Sequence, residues 1–180
     1  MAVSLYIDRL QSIQNECKGD FSLSEEQREF LHNAYWSGNQ NDISLVLTIL
    51  CFDPDPMDMP ILLDASSPTS WWVNRCDCAQ VLSGLGEVGA TVLKLMLERE
   101  RTPNVRFYII RELIDLEDET VLPFLDGPIP PNASPKRRSL WIYGNYEREE
   151  LDADEALAYM DKLLADPKGT HQWLAEHLDS

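Results

Sequence analysis

The apolar positions of this chain fall at steps of three and four. Tyr6, Leu10, Ile13 and Cys17 share one face of a first helix that Ser4 can cap and Gly19 can end. Ser24-Glu-Glu-Gln27 has the form of a capping box, with Leu23 before it. The helix it opens carries Phe30, Leu31, Ala34 and Tyr35 on one face and stops at Gly38. Asp42 is placed to cap a strongly apolar helix through Leu50. Asp53-Pro-Asp-Pro56 ends it, because each proline drives its predecessor out of the helical region. Further helices are expected near 70–84, 88–99, 103–116 and 119–125, with Thr102-Pro103 as an N-cap followed by proline at the first helical position. Leu157, Met160, Leu163 and Leu164 make another amphipathic helix, and Thr170 caps a last one through Leu178. No stretch alternates apolar and polar residues between turn signals as a strand does. The expectation is an all-α fold.

Part of this pattern repeats. Arg75-Cys-Asp-Cys-Ala79-Gln-Val-Leu82-Ser-Gly-Leu85 lies over Arg106-Phe-Tyr-Ile-Ile110-Arg-Glu-Leu113-Ile-Asp-Leu116 at an offset of 31 residues. Each is followed by a second apolar run, Val92 to Leu97 in one and Val121 to Leu125 in the other. A unit of two short amphipathic helices cannot bury its apolar face alone and stacks on a copy of itself. The clearest units are 70–99 and 103–126. Pro60-Ile-Leu-Leu-Asp64 resembles Pro123-Phe-Leu-Asp126 and reads as the remains of an earlier unit. Residues 127–135 hold one glycine and four prolines and form a Pro-rich linker. Arg137 follows Arg106 by 31, but Gly144 takes the slot of Leu113, so a further unit matches weakly. The 180 residues read as a single domain.

Over residues 70–126 the pattern resembles the HEAT-like repeat family of α-solenoids. The features that carry the resemblance are the Leu82-Ser-Gly-Leu85-Gly86 helix end, the Pro103-Asn-Val105-Arg106 opening, and Ile110, Leu113, Leu116 and Pro123-Phe-Leu125. Asn74 stands where the family would have Val. The resemblance implies a short α-solenoid of antiparallel helix hairpins with extra N- and C-terminal helices. It also implies that Arg75 and Arg106 brace neighbouring repeats through acidic partners, here toward Asp115 or Asp118. Arrays of this kind mostly bind proteins, so the resemblance implies recognition more than chemistry.

Charge narrows the partner. The chain has 31 acidic against 15 basic side chains, a formal net charge of −16, with hydrophobic residues at 44%. Nucleic acid and anionic membrane surfaces would be repelled, since binding them needs Lys and Arg to displace counterions. A basic DNA glycosylase of the HEAT-like kind is disfavoured for the same reason. A basic protein would be drawn in and its association accelerated. Residues 1–60 carry 10 acids and 3 bases and residues 141–180 carry 10 and 3, whereas residues 101–140 carry 6 of each. The same acidity also serves solubility. Cys17, Cys51, Cys76 and Cys78 read as free thiols. The N-terminus lacks the pattern of a signal peptide, and the longest apolar run, Leu45 to Phe52, is short of a membrane span. A cytoplasmic location is expected.

Several motifs look chemical and are better read as structural. Gly84-Leu-Gly86-Glu-Val-Gly89 matches the dinucleotide fingerprint, but that motif needs a strand before it, and here the flanks are helical in period. A helix-to-helix turn with one glycine as left-handed cap explains it. Asp53, Asp55 and Asp58 lack the glycine and distal glutamate of a calcium loop and read as a rigid acidic turn. His32, His171 and His177 with the cysteines make no zinc spacing. Asn132-Ala-Ser134 is a glycosylation sequon without a secretory route. Lys136-Arg-Arg138 is too short for a nucleic-acid patch and is expected to balance Glu117-Asp-Glu119 or a helix C-terminus.

The aromatic residues beside acids are more suggestive. Trp71, Trp72, Trp141, Tyr143 and Tyr146 are candidate interface anchors, with Asp115, Glu117, Asp118, Glu119 and Glu147 as the acids that steer a partner. The competing account is that Trp72 and Trp141 close the ends of the repeat core. No catalytic constellation, cofactor motif or metal-ligand set stands out. The function expected is a non-enzymatic, acidic module that binds a basic protein, for instance an immunity protein or antitoxin neutralising a basic toxin such as a nuclease. A structural adaptor subunit is the alternative, and a HEAT-like lyase-type enzyme a further one.

Overall fold

The computed structural model describes residues 6–17, 21–127 and 133–165, the last without the side chains of 162–164. Its described residues form ten α-helices and two short 3₁₀ turns, with no strand among them. None of these helices is long and apolar enough to cross a membrane. The chain divides into two compact units, Met1–Ile109 and Ile110–Ser180, the division falling inside one helix. Ser4, Gly19 and the helix expected after Thr170 lie outside the described residues, as does most of the Pro-rich linker.

The first unit holds α1 (Ile7–Glu16), α2 (Glu25–Ser37), α3 (Gln40–Leu50), α4 (Met59–Ala65), α5 (Trp72–Ser83), α6 (Gly86–Arg99) and the start of α7 (Pro103–Asp115). The stripe read from sequence buries Leu10, Ile13 and Cys17 on α1 and Leu31, Ala34 and Tyr35 on α2. The Ser24 capping box forms in full: Ser24 Oγ accepts from the Gln27 N–H at 3.2 Å and Gln27 Oε1 accepts from the Ser24 N–H at 2.9 Å. The cap of α3 differs from expectation. Asn39 is the N-cap and Asp42 sits three residues in, returning a bond to the Asn39 N–H at 2.9 Å. Asp42 is thus the reciprocal half of a second capping box, a role an Asn39 start makes available and a start at Asp42 does not.

α5 packs against α3, α4 and α6. Being covered from several sides, it buries Asn74, Arg75, Cys76, Cys78, Ala79, Val81 and Leu82, which is most of its circumference. The glycines of the α5–α6 connection act as a turn between helices: Gly86 takes φ +59°, and a Cβ on Gly89 would strike the Leu82 backbone. α5 and α7 begin at residues 72 and 103, reproducing the 31-residue offset. The arginines at these matching positions do not reach Asp115 or Asp118. Arg75 Nε donates to Glu100 Oε2 at 2.8 Å, and Arg106 Nη1 donates to the carbonyls of Leu97 and Glu100 at 2.8 and 3.0 Å. Glu100 also accepts from the N–H groups of Arg101 and Thr102 at 2.8 and 2.7 Å. One carboxylate therefore holds Arg75 and the entrance of α7 together, because the α6–α7 turn brings it to orphan donors that a more distant acid cannot reach.

The second unit holds the end of α7, α8 (Leu122–Leu125), α9 (Pro135–Glu147) and α10 (Ala153–Ala165). α8 follows a 3₁₀ turn, Glu119–Val121, just as α4 follows the 3₁₀ turn Pro56–Asp58, which mirrors the likeness of the two proline-led segments. Gly144 in the leucine slot has a packing reason. A Cβ there would press into Leu125 and lie 3.1 Å from Ile114 Cδ1, so α9 approaches its neighbours too closely for a side chain. α10 packs on α9 and is opened by a reciprocal Asp152–Glu155 cap. Its buried face is Tyr159 with Ala156 and Met160 beside it, whereas Leu157 is 62% exposed. Of the stripe expected on this helix Met160 packs on the core and Leu157 does not, while the side chains of Leu163 and Leu164 lie outside those described; the inner position beside Met160 goes to the Tyr159 ring, which packs edge-on to Trp141 at 5.9 Å.

Candidate functional site

The second unit carries a groove of about 430 Å³ lined by Ile114, Val121, Leu122 and Leu125, with Glu117, Glu147, Arg148 and Glu149 at its edge. Its rim is made by two helix ends of the same form. α7 closes with the Glu117 N–H on the Ile114 carbonyl at 2.9 Å and the Asp118 N–H on the Leu113 carbonyl at 3.0 Å. α9 closes with the Glu149 N–H on the Tyr146 carbonyl at 3.0 Å and the Glu150 N–H on the Asn145 carbonyl at 2.9 Å. This double closure requires a left-handed residue just past the helix, a place glycine usually fills. Here it falls to Glu117 at φ 54° and Glu149 at φ 59°, the only positive-φ residues other than glycine among those described. A side chain in that region costs about 1 kcal/mol or more. Arg148 is engaged by Asp126 at 3.0 Å, so its cation is partly spent away from the glutamates.

The candidate residues fall into distinct settings. Glu117 and Glu147 meet at the groove. Tyr143 donates its hydroxyl to Asp115, and burial, then that bond and the Asp115 charge, push the phenol pKa up. Asp118 turns inward to its own loop, accepting from the Thr120 N–H at 3.0 Å and hydroxyl at 2.7 Å. Glu119 and Tyr146 are exposed and lie outside the groove lining. Trp141 is 4% exposed, and its indole N–H donates to the Gly127 carbonyl at 3.1 Å; it closes the core and offers a partner no surface. Trp71 and Trp72 belong to the other unit, where they start α5 as an exposed, edge-on pair with ring centroids 6.4 Å apart.

Sequence reasoning missed Glu149 and Arg148, since nothing in a glutamate announces a left-handed backbone. It also missed a second constellation, in the first unit. Asp58, fully buried, accepts from Arg28 Nη1 at 2.5 Å and from the Asp55 N–H at 3.2 Å, and is hydrogen-bonded to His32 Nε2 at 2.8 Å. Arg28 also spans to Asp53 at 2.8 Å, which holds the Leu23 N–H at 2.8 Å. Arg28, His32 and Asp53 line a cleft of about 610 Å³ between α2 and the Asp53–Met57 turn, whose other charged lining is Glu25, Glu29 and Asp55, while Asp58 lies buried behind it. Arg28 and His32 stand one helical turn apart, a spacing visible in the sequence, but their acidic partners are some thirty residues away. The network is self-satisfied, and it braces the acidic turn against α2.

All four cysteines are free; burial raises the pKa of Cys17 and of Cys78. Among the described residues no group of three or more His, Cys, Asp or Glu is disposed to hold a metal ion. No protein-family model, curated protein or solved structure matches the chain, so its likeness to HEAT-like repeats rests on the residue pattern over 70–126.

Proposed function

We propose that this chain is a non-enzymatic, acidic binding module, built as a short α-solenoid of antiparallel hairpins, that holds a basic protein. Its concrete form is an immunity protein or antitoxin that occupies a cationic toxin, such as the positive cleft of a nuclease. The observation that carries this reading is the groove edged by Glu117 and Glu149. Both keep a charged side chain where glycine would relax the backbone, and both do so beside an apolar floor. A lysine or arginine entering the groove would lay its methylenes on Ile114, Val121, Leu122 and Leu125 and bring its cation to the glutamates. The excess of 31 acids over 15 bases would steer such a partner at long range.

The test is capture of a partner by the full chain, followed by affinity measurements from low to physiological ionic strength. The expected partner is cationic, its affinity falls with salt, and Glu117→Lys with Glu149→Lys weakens it at least tenfold. An acidic partner, a salt-insensitive interface of the kind an adaptor subunit would use, or an affinity indifferent to the charge reversal would refute the proposal.

A further inference from the structure

The first turn of α9 is electrostatically inverted. Lys136, Arg137 and Arg138 follow Pro135 at the N-terminal end of the helix, not at a C-terminus as their charge would suit. That end already carries the positive pole of the helix, where acidic side chains are favoured and basic ones are not. Carboxylates are abundant in this chain, 31 against 15 bases, yet neither Arg137 nor Arg138 forms an ion pair with one among the described residues. Arg138 is only 4% exposed, and its Nε and Nη1 are buried without an acceptor, as is Nη1 of Arg137.

The rest of the same helix shows the contrast. Asn145 Nδ2 donates to the carbonyls of Leu125 and Trp141 at 3.3 and 2.9 Å, and Trp141 Nε1 to that of Gly127 at 3.1 Å. One turn nearer the N-terminus the donors are stronger and their acceptors are missing. A guanidinium cannot escape by releasing its proton, so burying it unpaired is among the most unfavourable arrangements a core can hold. Helical side chains slant toward the N-terminus, which carries both guanidinium groups back over the first turn. Arg137 is held there by the Phe124 ring, whose centroid lies 5.2 Å from its Cζ. Ser134 Oγ accepts from the Arg137 N–H at 3.3 Å and keeps its own proton to donate.

We propose that the first turn of α9, with Arg137, Arg138 and Ser134, is a binding site for a phosphate-class oxyanion. Two guanidinium forks and a hydroxyl beside the positive pole of a helix present more donors than the two oxygens of a carboxylate can accept, whereas a tetrahedral dianion can engage them together. This site is independent of the groove and of the basic partner proposed for it.

The full chain is titrated calorimetrically with inorganic phosphate and, separately, with free phosphoserine, and its melting temperature is compared in phosphate and chloride at matched ionic strength and pH. The tighter of the two ligands names the source of the anion. Saturable binding to the wild type is expected, weakened at least tenfold by Arg138→Met and by Arg137→Gln, with phosphate raising the melting temperature of the wild type alone. Should Arg138→Met not fold, Arg137→Gln, whose side chain is partly exposed, carries the comparison. Absence of saturable binding to the wild type, or equal binding by wild type and variants, overturns the proposal.

Discussion

Glu117 and Glu149 allow backbone cost and partner binding to be separated by experiment. Replacing either with alanine removes the carboxylate and keeps a Cβ in the left-handed region; replacing it with glycine removes both. A left-handed Cβ costs about 1–2 kcal/mol, while glycine gives back about 0.4–1 kcal/mol through the freedom it adds to the unfolded chain. The glycine variant at each site is therefore expected to exceed the alanine variant by about 1 kcal/mol. In a helix interior the same comparison runs the other way, with glycine worse by about 0.5–1 kcal/mol. Urea unfolding followed by circular dichroism measures the difference with the slope of the transition held as a check. Both variants should lose affinity for a cationic partner to a similar degree, since both lack the carboxylate. Alanine equal to or better than glycine at both positions would show that the left-handed closures of α7 and α9 are not held in solution. A glycine variant that is more stable and binds as well as wild type would remove the glutamates from the function.

Four further outcomes follow from the packing and its ion pairs. Glu100 is 7% exposed and is the carboxylate that pairs buried Arg75, so Glu100→Ala should cost about 3–5 kcal/mol by leaving that cation with only the carbonyls of Pro68 and Ser70 and the Thr102 hydroxyl as acceptors, whereas the double variant Arg75→Met with Glu100→Gln, which keeps an acceptor for the Arg101 and Thr102 N–H groups, should cost less than Glu100→Ala. Burial would raise the Glu100 pKa, but its bonds from Thr102, Arg75 and Arg101 outweigh this and hold it below the ordinary value of 4.5. Its contribution is thus present above about pH 4.5 and lost as pH falls through the depressed value, and the acid limb of a stability–pH curve should be shallower in Glu100→Gln. Gly89→Ala should cost about 3 kcal/mol, the upper end of overpacking, because its Cβ meets the unyielding Leu82 backbone; Gly144→Ala should cost less, since it meets the movable ends of Leu125 and Ile114. On α10, Leu157→Lys should stay within about 0.5 kcal/mol of wild type while Tyr159→Ala loses about 3 kcal/mol, and the reverse ranking in thermal melts would mean that the helix is rotated.

The helices were legible because their signals are local. Ser24 and Gln27 lie within one turn, the stripe from Leu10 to Cys17 repeats at helical spacing, and the proline at 103 sits where its missing N–H does no harm. What resisted reading was the competition between neighbouring signals. Asn39 and Asp42 are both good caps, and only the reciprocal bond between them decides which is outside the helix. Leu157 and Tyr159 both satisfy an amphipathic pattern, and the ring that Trp141 can receive edge-on decides which is inside. Likewise Arg75 could be expected to seek an acid, but which acid depends on the α6–α7 turn and not on the repeat.

The candidate site was harder to read for a different reason: its distinguishing property is a departure from what the local sequence favours. Composition pointed to acids near 115–119 and 147, and two of those do meet at one groove. It could not distinguish Glu117, which holds an unfavourable backbone with its side chain at the rim, from Asp118 next to it, which spends its carboxylate on its own turn. The same holds for Arg138, whose charge is ordinary in a sequence and anomalous only once it is buried at the positive end of a helix. A residue that serves folding agrees with its surroundings at every level, and pattern-reading finds it for that reason. A left-handed glutamate and an unpaired buried arginine disagree with theirs, and that disagreement is the ground on which we propose a cation for one and an anion for the other.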